Sequence, residues 1–153
     1  MIRKLYRLFV IVAASLQSPF LLLVRLYWGW QFAQTGWGKL HGIEKVTGFF
    51  ASLDIPAPAL TAHVIASLEF VGGILLILGL ATRLIALPLT INMIVAFITA
   101  DHEALRSVFT DPDKLYAAAP YTFLFASVLI LIFGPGMFSV DAAIARAKHV
   151  DKY

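Results

Sequence analysis

Three polar side chains interrupt the apolar stretches of this sequence and could do chemistry there. Arg25 and Glu69 are each the only formal charge in a long apolar run, and Asn92 stands in a run with none. In a bilayer such charges cost about 2.5–3.5 kcal/mol at the helix centre, so they pair with each other or mark a site for an ion or a ligand. A buried amide needs a hydrogen-bonding partner for the same reason. These residues are therefore our first candidates for a site inside a membrane.

The depths of the three residues indicate that they meet. Counted from the helix ends on one side of the membrane, their Cα atoms fall within roughly 10–17 Å of the same boundary at about 1.5 Å per residue. Gly73 follows Glu69 at i+4 and would let a neighbouring helix approach the carboxyl group closely. We predict an ion pair between Arg25 and Glu69. Two interpretations of this pair stay open: it fixes the register of the helices, or it lines a ligand site.

The elements that position these residues must be membrane helices. Hydrophobic residues make up 60% of the 153-residue chain and charged residues 14%, and the mean hydropathy is +0.85. This composition lies far from that of a soluble globular domain. Charge-poor runs are long enough for spans at about residues 18–35, 62–81, 84–100 and 117–133. Only a few residues separate the second and third spans, so those two helices must be antiparallel neighbours.

The first apolar run is too long for one upright span. From Leu8 to Gly38 it has about 31 residues, which would measure roughly 46 Å as a helix. Pro19 removes a backbone donor and disfavours helix at Ser18. We therefore predict a break at Pro19, with an interfacial lead-in before it and the first span after it.

Two further segments are predicted to lie in the membrane interface. Between the first two spans, residues 40–53 carry apolar side chains at helical spacing, which predicts a short amphipathic helix with Phe49 and Phe50 toward lipid. After the last span, residues 139–149 begin with Ser139 as a helix cap and form a second amphipathic segment. The predicted fold class is all-α: a polytopic membrane protein with one membrane domain over residues 1–153, built as a four-transmembrane-helix bundle with an interfacial amphipathic helix between helices 1 and 2.

The distribution of Lys and Arg predicts the orientation. Seven of these residues lie beside the span ends that face the termini, and four lie beside the opposite ends. The positive-inside rule then places both termini in the cytoplasm of a plasma (inner) membrane that the chain crosses several times. A cleaved signal peptide is disfavoured, because cleavage would place the basic tail outside. The seven residues are Arg3, Lys4, Arg7, Arg83, Arg146, Lys148 and Lys152.

The absence of cysteine excludes several kinds of chemistry. The chain cannot form a disulfide, exchange thiols or hold an iron–sulfur cluster by thiolates. His and carboxylate side chains collect near the span ends opposite the termini, but none shows a short metal-binding spacing such as His-x-x-x-His, so we expect no metal there. These side chains are His41, Glu44, His63, Asp101, His102 and Glu103.

Three ordered motifs resemble those of the DoxX family. The first begins at Arg25 and ends at Lys39, with glycines at positions 29 and 36. The second is Glu-Phe-Val-Gly-Gly from Glu69, followed later by Arg83. The third is Gly-Pro-Gly with Phe-Ser-Val-Asp behind it, at residues 134–141.

The resemblance covers about residues 20–142 and implies a four-helix membrane fold. It also implies a link to membrane redox chemistry, since relatives include a subunit of a thiosulfate:quinone oxidoreductase and a member of a membrane complex with superoxide dismutase. It transfers a polar family site onto Arg25, Lys39, Glu69 and Arg83.

Our leading hypothesis is a small integral membrane subunit of a redox-linked system that binds a quinone or a similar lipid-soluble ligand at the Arg/Glu site. The chain would hold no cofactor of its own, so a redox partner protein would supply the electron carrier, and the chain would be at most an oxidoreductase subunit. Its other expected partners are the lipid bilayer and a second copy of the chain, with no nucleic acid. The polar anchors would be Arg25, Glu69 and Asn92. The ring contacts would be Trp28, Phe32 and Phe70.

Two alternatives from other functional classes stay open. One is a non-catalytic membrane organiser that anchors a redox or stress-response partner and whose ion pair is structural. The other is a small-solute carrier, which is disfavoured because the sequence shows neither an inverted repeat nor an unwound mid-span segment. The lipids and quinones that co-purify with the protein would distinguish the leading hypothesis from the organiser.

Overall fold

The structure is a computed structural model that describes residues 2–150. Lys152, which the orientation count includes, lies outside the described residues. Within them all regular secondary structure is helical, and there is no strand. The helices, in chain order, are α1 (Ile2–Ser15), α2 (Gln17–His41), α3 (Ile43–Ser52), α4 (Pro58–Leu78), α5 (Thr82–Thr99), α6 (His102–Arg106), α7 (Pro112–Ala117), α8 (Ala119–Phe133) and α9 (Val140–Val150).

Four of these helices form the membrane bundle. The continuous pair α1–α2, then α4 and α5, are long and apolar enough to cross a membrane by length and composition. The fourth, α8, has 15 residues and spans about 22 Å at about 1.5 Å per residue, which is less than a hydrocarbon core. The predicted all-α four-helix membrane fold is confirmed. We call the end with the α4–α5 turn and both terminal segments the terminal side, and the end with α3, α6 and α7 the loop side.

The break in the first helix lies at Leu16 rather than at Pro19. Pro19 stands in the first turn of α2, where its missing N–H has no intrahelical partner to lose, so the helix accepts it. The α2 helix then continues to His41, beyond the predicted end of the span at residue 35. The lead-in predicted before the break is a helix, α1, and its side chains are exposed along its whole length.

Glycines allow α2 and α4 to pack closely. A methyl group added at Gly36 would lie 2.7 Å from the carbonyl oxygen of Ala66 and would collide with the backbone of Phe70. A methyl group at Gly73 would lie 2.5 Å from the carbonyl oxygen of Gly29. The two backbones therefore touch along this line, as small residues permit between membrane helices.

The other membrane helices follow the short turns of the sequence. Gly79 and Ala81, both with positive φ, close the α4–α5 turn, so these two helices are antiparallel neighbours as predicted. The α8 helix packs on α5 and α2. The apolar core between the four helices includes fully buried Phe32, Leu76 and Leu89.

The segment between the first two spans contains the predicted short helix. It is α3, which follows α2 almost without interruption and packs against α4. Phe49 is 51% exposed and Phe50 is partly buried, and both line a cavity beneath α3. Phe50 therefore departs from the predicted lipid-facing position, because α3 turns that side chain toward α4.

Candidate functional site

A cavity of about 700 Å³ lies on the loop side, between α3, α4 and α5. Its wall is mostly aliphatic and aromatic, with Phe50 from α3, Ile65 and Leu68 from α4, and Val95 from α5. Ile91 in this wall is about half exposed, as is Val95, so the cavity opens sideways between α3 and α5 toward the surface that faces lipid. Few polar side chains reach it, and three of them form a connected group.

This group, which we call the polar floor, consists of Lys39, Glu69 and Asn92. Lys39 Nζ donates to both carboxylate oxygens of Glu69 at 2.7 Å. Asn92 Nδ2 donates to Glu69 Oε1 at 2.9 Å. The Glu69 side chain is 2% exposed and that of Lys39 34%. A carboxylate inside the bundle is thus neutralised by one cation and held by one amide, which are the partners that its burial requires.

The predicted ion pair between Arg25 and Glu69 is wrong. Arg25 Nε donates to the carbonyl oxygen of Leu76 at 3.0 Å, and its Nη atoms donate to Phe138 O at 3.0 Å and to Pro135 O. Leu76 is at the C-terminal end of α4, where the last carbonyls lack intrahelical partners and the helix dipole attracts a cation. Glu69 stands seven residues earlier, about 10 Å away along the helix axis.

Lys39 takes the place that the sequence analysis gave to Arg25. It lies near the loop-side end of α2, about one turn beyond Gly36, which contacts the backbone of Phe70 on the antiparallel helix α4. The close contacts of Gly29 with Gly73 and of Gly36 with Phe70 fix the register of the two helices, and the long side chain of Lys39 reaches back to Glu69. The glycines of α2 and α4 could have indicated how the two helices pack, but the prediction counted residue depths from the helix ends and did not use them. The predicted meeting of Asn92 with Glu69 is confirmed.

The other predicted site residues lie away from the cavity. Phe32 is fully buried and packs edge-to-face on Phe123 of α8, with ring centroids 4.7 Å apart, and Trp28 joins the same cluster at 5.4 Å. Phe70 packs on Trp37, with ring centroids 5.2 Å apart. Arg83 lies on the terminal side and donates to the carbonyl oxygen of Ile132 at 3.1 Å. The aliphatic wall of the cavity was missed, because its residues look like ordinary span residues.

A second polar cluster closes the terminal side of the bundle. Asp141, in the first turn of α9, accepts hydrogen bonds from the backbone N–H groups of Ala81 and Thr82 at 2.8 and 2.9 Å and from the Thr82 hydroxyl at 2.8 Å. It therefore caps the N-terminus of α5 from a distant segment. We call Arg25, Asp141 and the segment 134–139 between α8 and α9 the terminal clasp. Ser139 in it caps α9 as predicted, by accepting from the N–H of Ala142 at 3.1 Å.

The electrostatics of the clasp favour the ionised form of Asp141. Burial alone would raise the pKa of this carboxyl group, but the hydrogen bonds from Thr82 and Ala81 and the positive charge of Arg25 outweigh burial, and the pKa lies below its ordinary value. At neutral pH the chain thus presents a carboxylate to the positive end of the α5 dipole.

Metal binding finds no support in the geometry of residues 2–150, since no three His, Asp or Glu side chains of that range come together as a ligand set.

Comparison with known proteins identifies relatives over most of the chain. The family model described as DoxX matches residues 20–102. The protein of Bacillus subtilis named "Putative oxidoreductase CatD" is 31% identical over 127 residues, which cover 83% of this chain and 88% of that protein. The "Uncharacterized membrane protein Rv3486" of Mycobacterium tuberculosis is 29% identical over 135 residues, or 84% of this chain and 83% of that protein. No solved structure shows a significant match.

Proposed function

Because this chain belongs to the DoxX family of membrane proteins, we propose that it is the membrane subunit of a redox-linked system and binds a quinone or a similar lipid-soluble ring molecule in the cavity beside Glu69. The observation that carries this proposal is an apolar cavity inside a membrane bundle with a charge-neutralised polar group at one end. The name of the Bacillus subtilis relative, an oxidoreductase, supports the redox link.

The cavity suits a neutral ring ligand in size and in charge. Its volume of about 700 Å³ falls within the range of roughly 300–1,000 Å³ that is usual for small-molecule sites. The positive charge of Lys39 and the negative charge of Glu69 cancel at the polar floor, so a neutral ligand gains hydrogen bonds there without leaving a charge unpaired. The lateral opening lets such a ligand enter from the bilayer. In this proposal a partner protein supplies the electron carrier, and the chain itself has no cysteine to hold an iron–sulfur cluster.

The first prediction is that a ring compound co-purifies with the protein. Ala96 is a small residue in the cavity wall, so Ala96→Phe should fill the space and reduce the bound quinone by about tenfold or more, a loss of about 1.4 kcal/mol in binding. Ile98 on the same helix is 59% exposed and does not line the cavity, so Ile98→Phe is the matched control and should retain the ligand.

The measurement is mass spectrometry of the small molecules extracted from protein purified in mild detergent. Protein that carries phospholipid but no ring compound would count against the proposal and in favour of a non-catalytic organiser. Equal ring content in the two Phe variants would place the ligand outside the cavity.

We also propose that the chain lies in the plasma (inner) membrane with both termini in the cytoplasm. The terminal side carries the larger share of Lys and Arg, which the positive-inside rule assigns to the cytoplasm. The chain has no cysteine, so Lys45→Cys on the loop side and Lys148→Cys on the terminal side each create a single labelling site. In intact cells an impermeant thiol reagent should label position 45 and spare position 148 until the membrane is opened. The reverse pattern would invert the orientation.

A further inference from the structure

The polar floor has a defined hydrogen-bonding direction. Asn92 Nδ2 faces Glu69 Oε1 at 2.9 Å. The flipped amide would set its oxygen against the carboxylate oxygen, and two acceptors repel each other, so the charge of Glu69 fixes the orientation. Among the described residues no N–H or O–H group donates to Asn92 Oδ1, and the side chain lines the cavity. The amide oxygen is therefore an acceptor available to a ligand.

Lys39 supplies the complementary donor. An ammonium group has three N–H bonds, and two of them point to the carboxylate oxygens of Glu69. The third N–H bond is left for a ligand, and the Lys39 side chain, which is 34% exposed, can direct that bond into the cavity. Glu69 itself is only 2% exposed, so a ligand meets the carboxylate through its two partners. The polar floor thus offers a ligand the third N–H of Lys39, the second N–H of the Asn92 amide and one acceptor, Asn92 Oδ1.

We propose that the cavity prefers the reduced, dihydroxy form of its ring ligand, a quinol, over the corresponding quinone. This inference rests on the proposed function. A quinol hydroxyl donates to Asn92 Oδ1 and can accept from Lys39 Nζ, so both groups of the floor are satisfied. A quinone has only acceptors: its carbonyl oxygen can accept from Lys39 or from the second N–H of the Asn92 amide, but in either case Asn92 Oδ1 is left without a donor. Lys39 serves both forms, so Asn92 is the residue that discriminates between them.

The preference would be substantial. When a site that pairs with a hydroxyl group binds an analogue without that hydroxyl, a buried polar group of the site loses its partner and the affinity falls. We expect a difference in Kd of about tenfold or more. A tenfold preference for the two-electron reduced form raises the reduction potential of the bound ligand by about 30 mV. The site would then draw its ligand toward the quinol and hold it in that form.

The test uses the full chain in lipid nanodiscs, with decylubiquinol and decylubiquinone as probes under anaerobic conditions. Equilibrium dialysis should give a Kd for the quinol at least about tenfold lower than for the quinone. Asn92→Met, which removes the acceptor at similar volume, should bring the two values together. Thr90→Val is the control, since Thr90 is buried on the same helix and bonds only to the carbonyl oxygen of Ala86, and it should keep the wild-type ratio.

The outcomes separate this inference from the proposed function. Equal binding of the two probes to the wild-type chain overturns the preference and leaves the cavity a ring-binding site. Tighter binding of the quinone overturns it as well. Binding of neither probe contradicts the proposed function itself. A preference that persists in a folded Asn92→Met variant removes Asn92 from the explanation, and the wild-type comparison needs no variant to fold.

Discussion

An Arg25→Met variant is expected to unfold at a much lower temperature than the wild-type protein. The side chain is 1% exposed, and its guanidinium holds the end of α4 and the segment after α8 through the carbonyl oxygens of Leu76, Pro135 and Phe138. Methionine has a similar length but no donor, so the carbonyl oxygens of Pro135 and Phe138 lose this partner, and that of Leu76 keeps only the N–H of Gly79. A hydrogen bond to a charged group contributes about 1.5–3 kcal/mol, so the loss of these three bonds should reach about 3 kcal/mol or more.

Thermal unfolding in detergent, followed by circular dichroism, measures this effect. Arg83→Met is the matched control: Arg83 is exposed and donates to a single carbonyl oxygen, that of Ile132, so its loss should cost less than about 1 kcal/mol. Arg25→Lys should lie between them, because an ammonium group lacks the planar fork that reaches several carbonyls at once. If Arg25→Met and Arg83→Met unfold at the same temperature, the terminal clasp does not stabilise the fold as described.

The second large effect is expected for Lys39→Met, and it should be larger than that of Glu69→Met. Removing Lys39 leaves a carboxylate with 2% exposure and no counter-charge, a situation that typically costs about 3–5 kcal/mol. Removing Glu69 leaves a cation that is already 34% exposed and can turn toward the membrane surface. Lys39→Met combined with Glu69→Met should recover much of the stability, since the double variant buries no unpaired charge.

The double variant also distinguishes a structural pair from a ligand site. Thermal unfolding and the amount of bound ring compound are measured on the same preparations of the single and double variants. A ligand site predicts that the double variant regains stability and stays empty. Lys114→Met is the control, because Lys114 forms an exposed ion pair with Asp111 at 3.4 Å and does not line the cavity, and it should change neither quantity strongly. Additive losses of stability in the double variant would contradict a coupled pair.

Hydrophobicity and spacing were sufficient to predict the four membrane helices and their order, but not the short helices α6 and α7. The spans around Glu69 and Asn92, the tight turn that makes α4 and α5 neighbours, and the helix α3 all follow from local patterns of the sequence. The meeting of Asn92 with Glu69 follows as well, because both depths were counted from the one short turn that joins their helices. Two residues separated by a short turn have a depth difference that the sequence alone determines.

The partner of Glu69 could not be found in the same way. The depth of Arg25 in the membrane was counted from an assumed start of the first span. That depth depends on how α2 packs against α4, which the glycine contacts determine. The flexible four-carbon side chain of Lys39 then extends to Glu69 from a residue near the loop-side end of α2. Asp141 caps α5 across 60 positions of sequence, and no local pattern predicts such a contact. The cavity exists because α3 folds beside α4, which is a tertiary property.

The terminal clasp also sets an order of events during biosynthesis. Arg25 enters the bilayer with the first membrane helix, but the carbonyl groups of Pro135 and Phe138 that hold it are translated more than one hundred residues later. Since chains are made from the N-terminus at about 5–20 residues per second, the early helices wait for several seconds with an arginine and the start of α5 unsatisfied. A ribosome that stalls before codon 135 would therefore leave a bundle that is inserted but not locked, and quality-control proteases could recognise it.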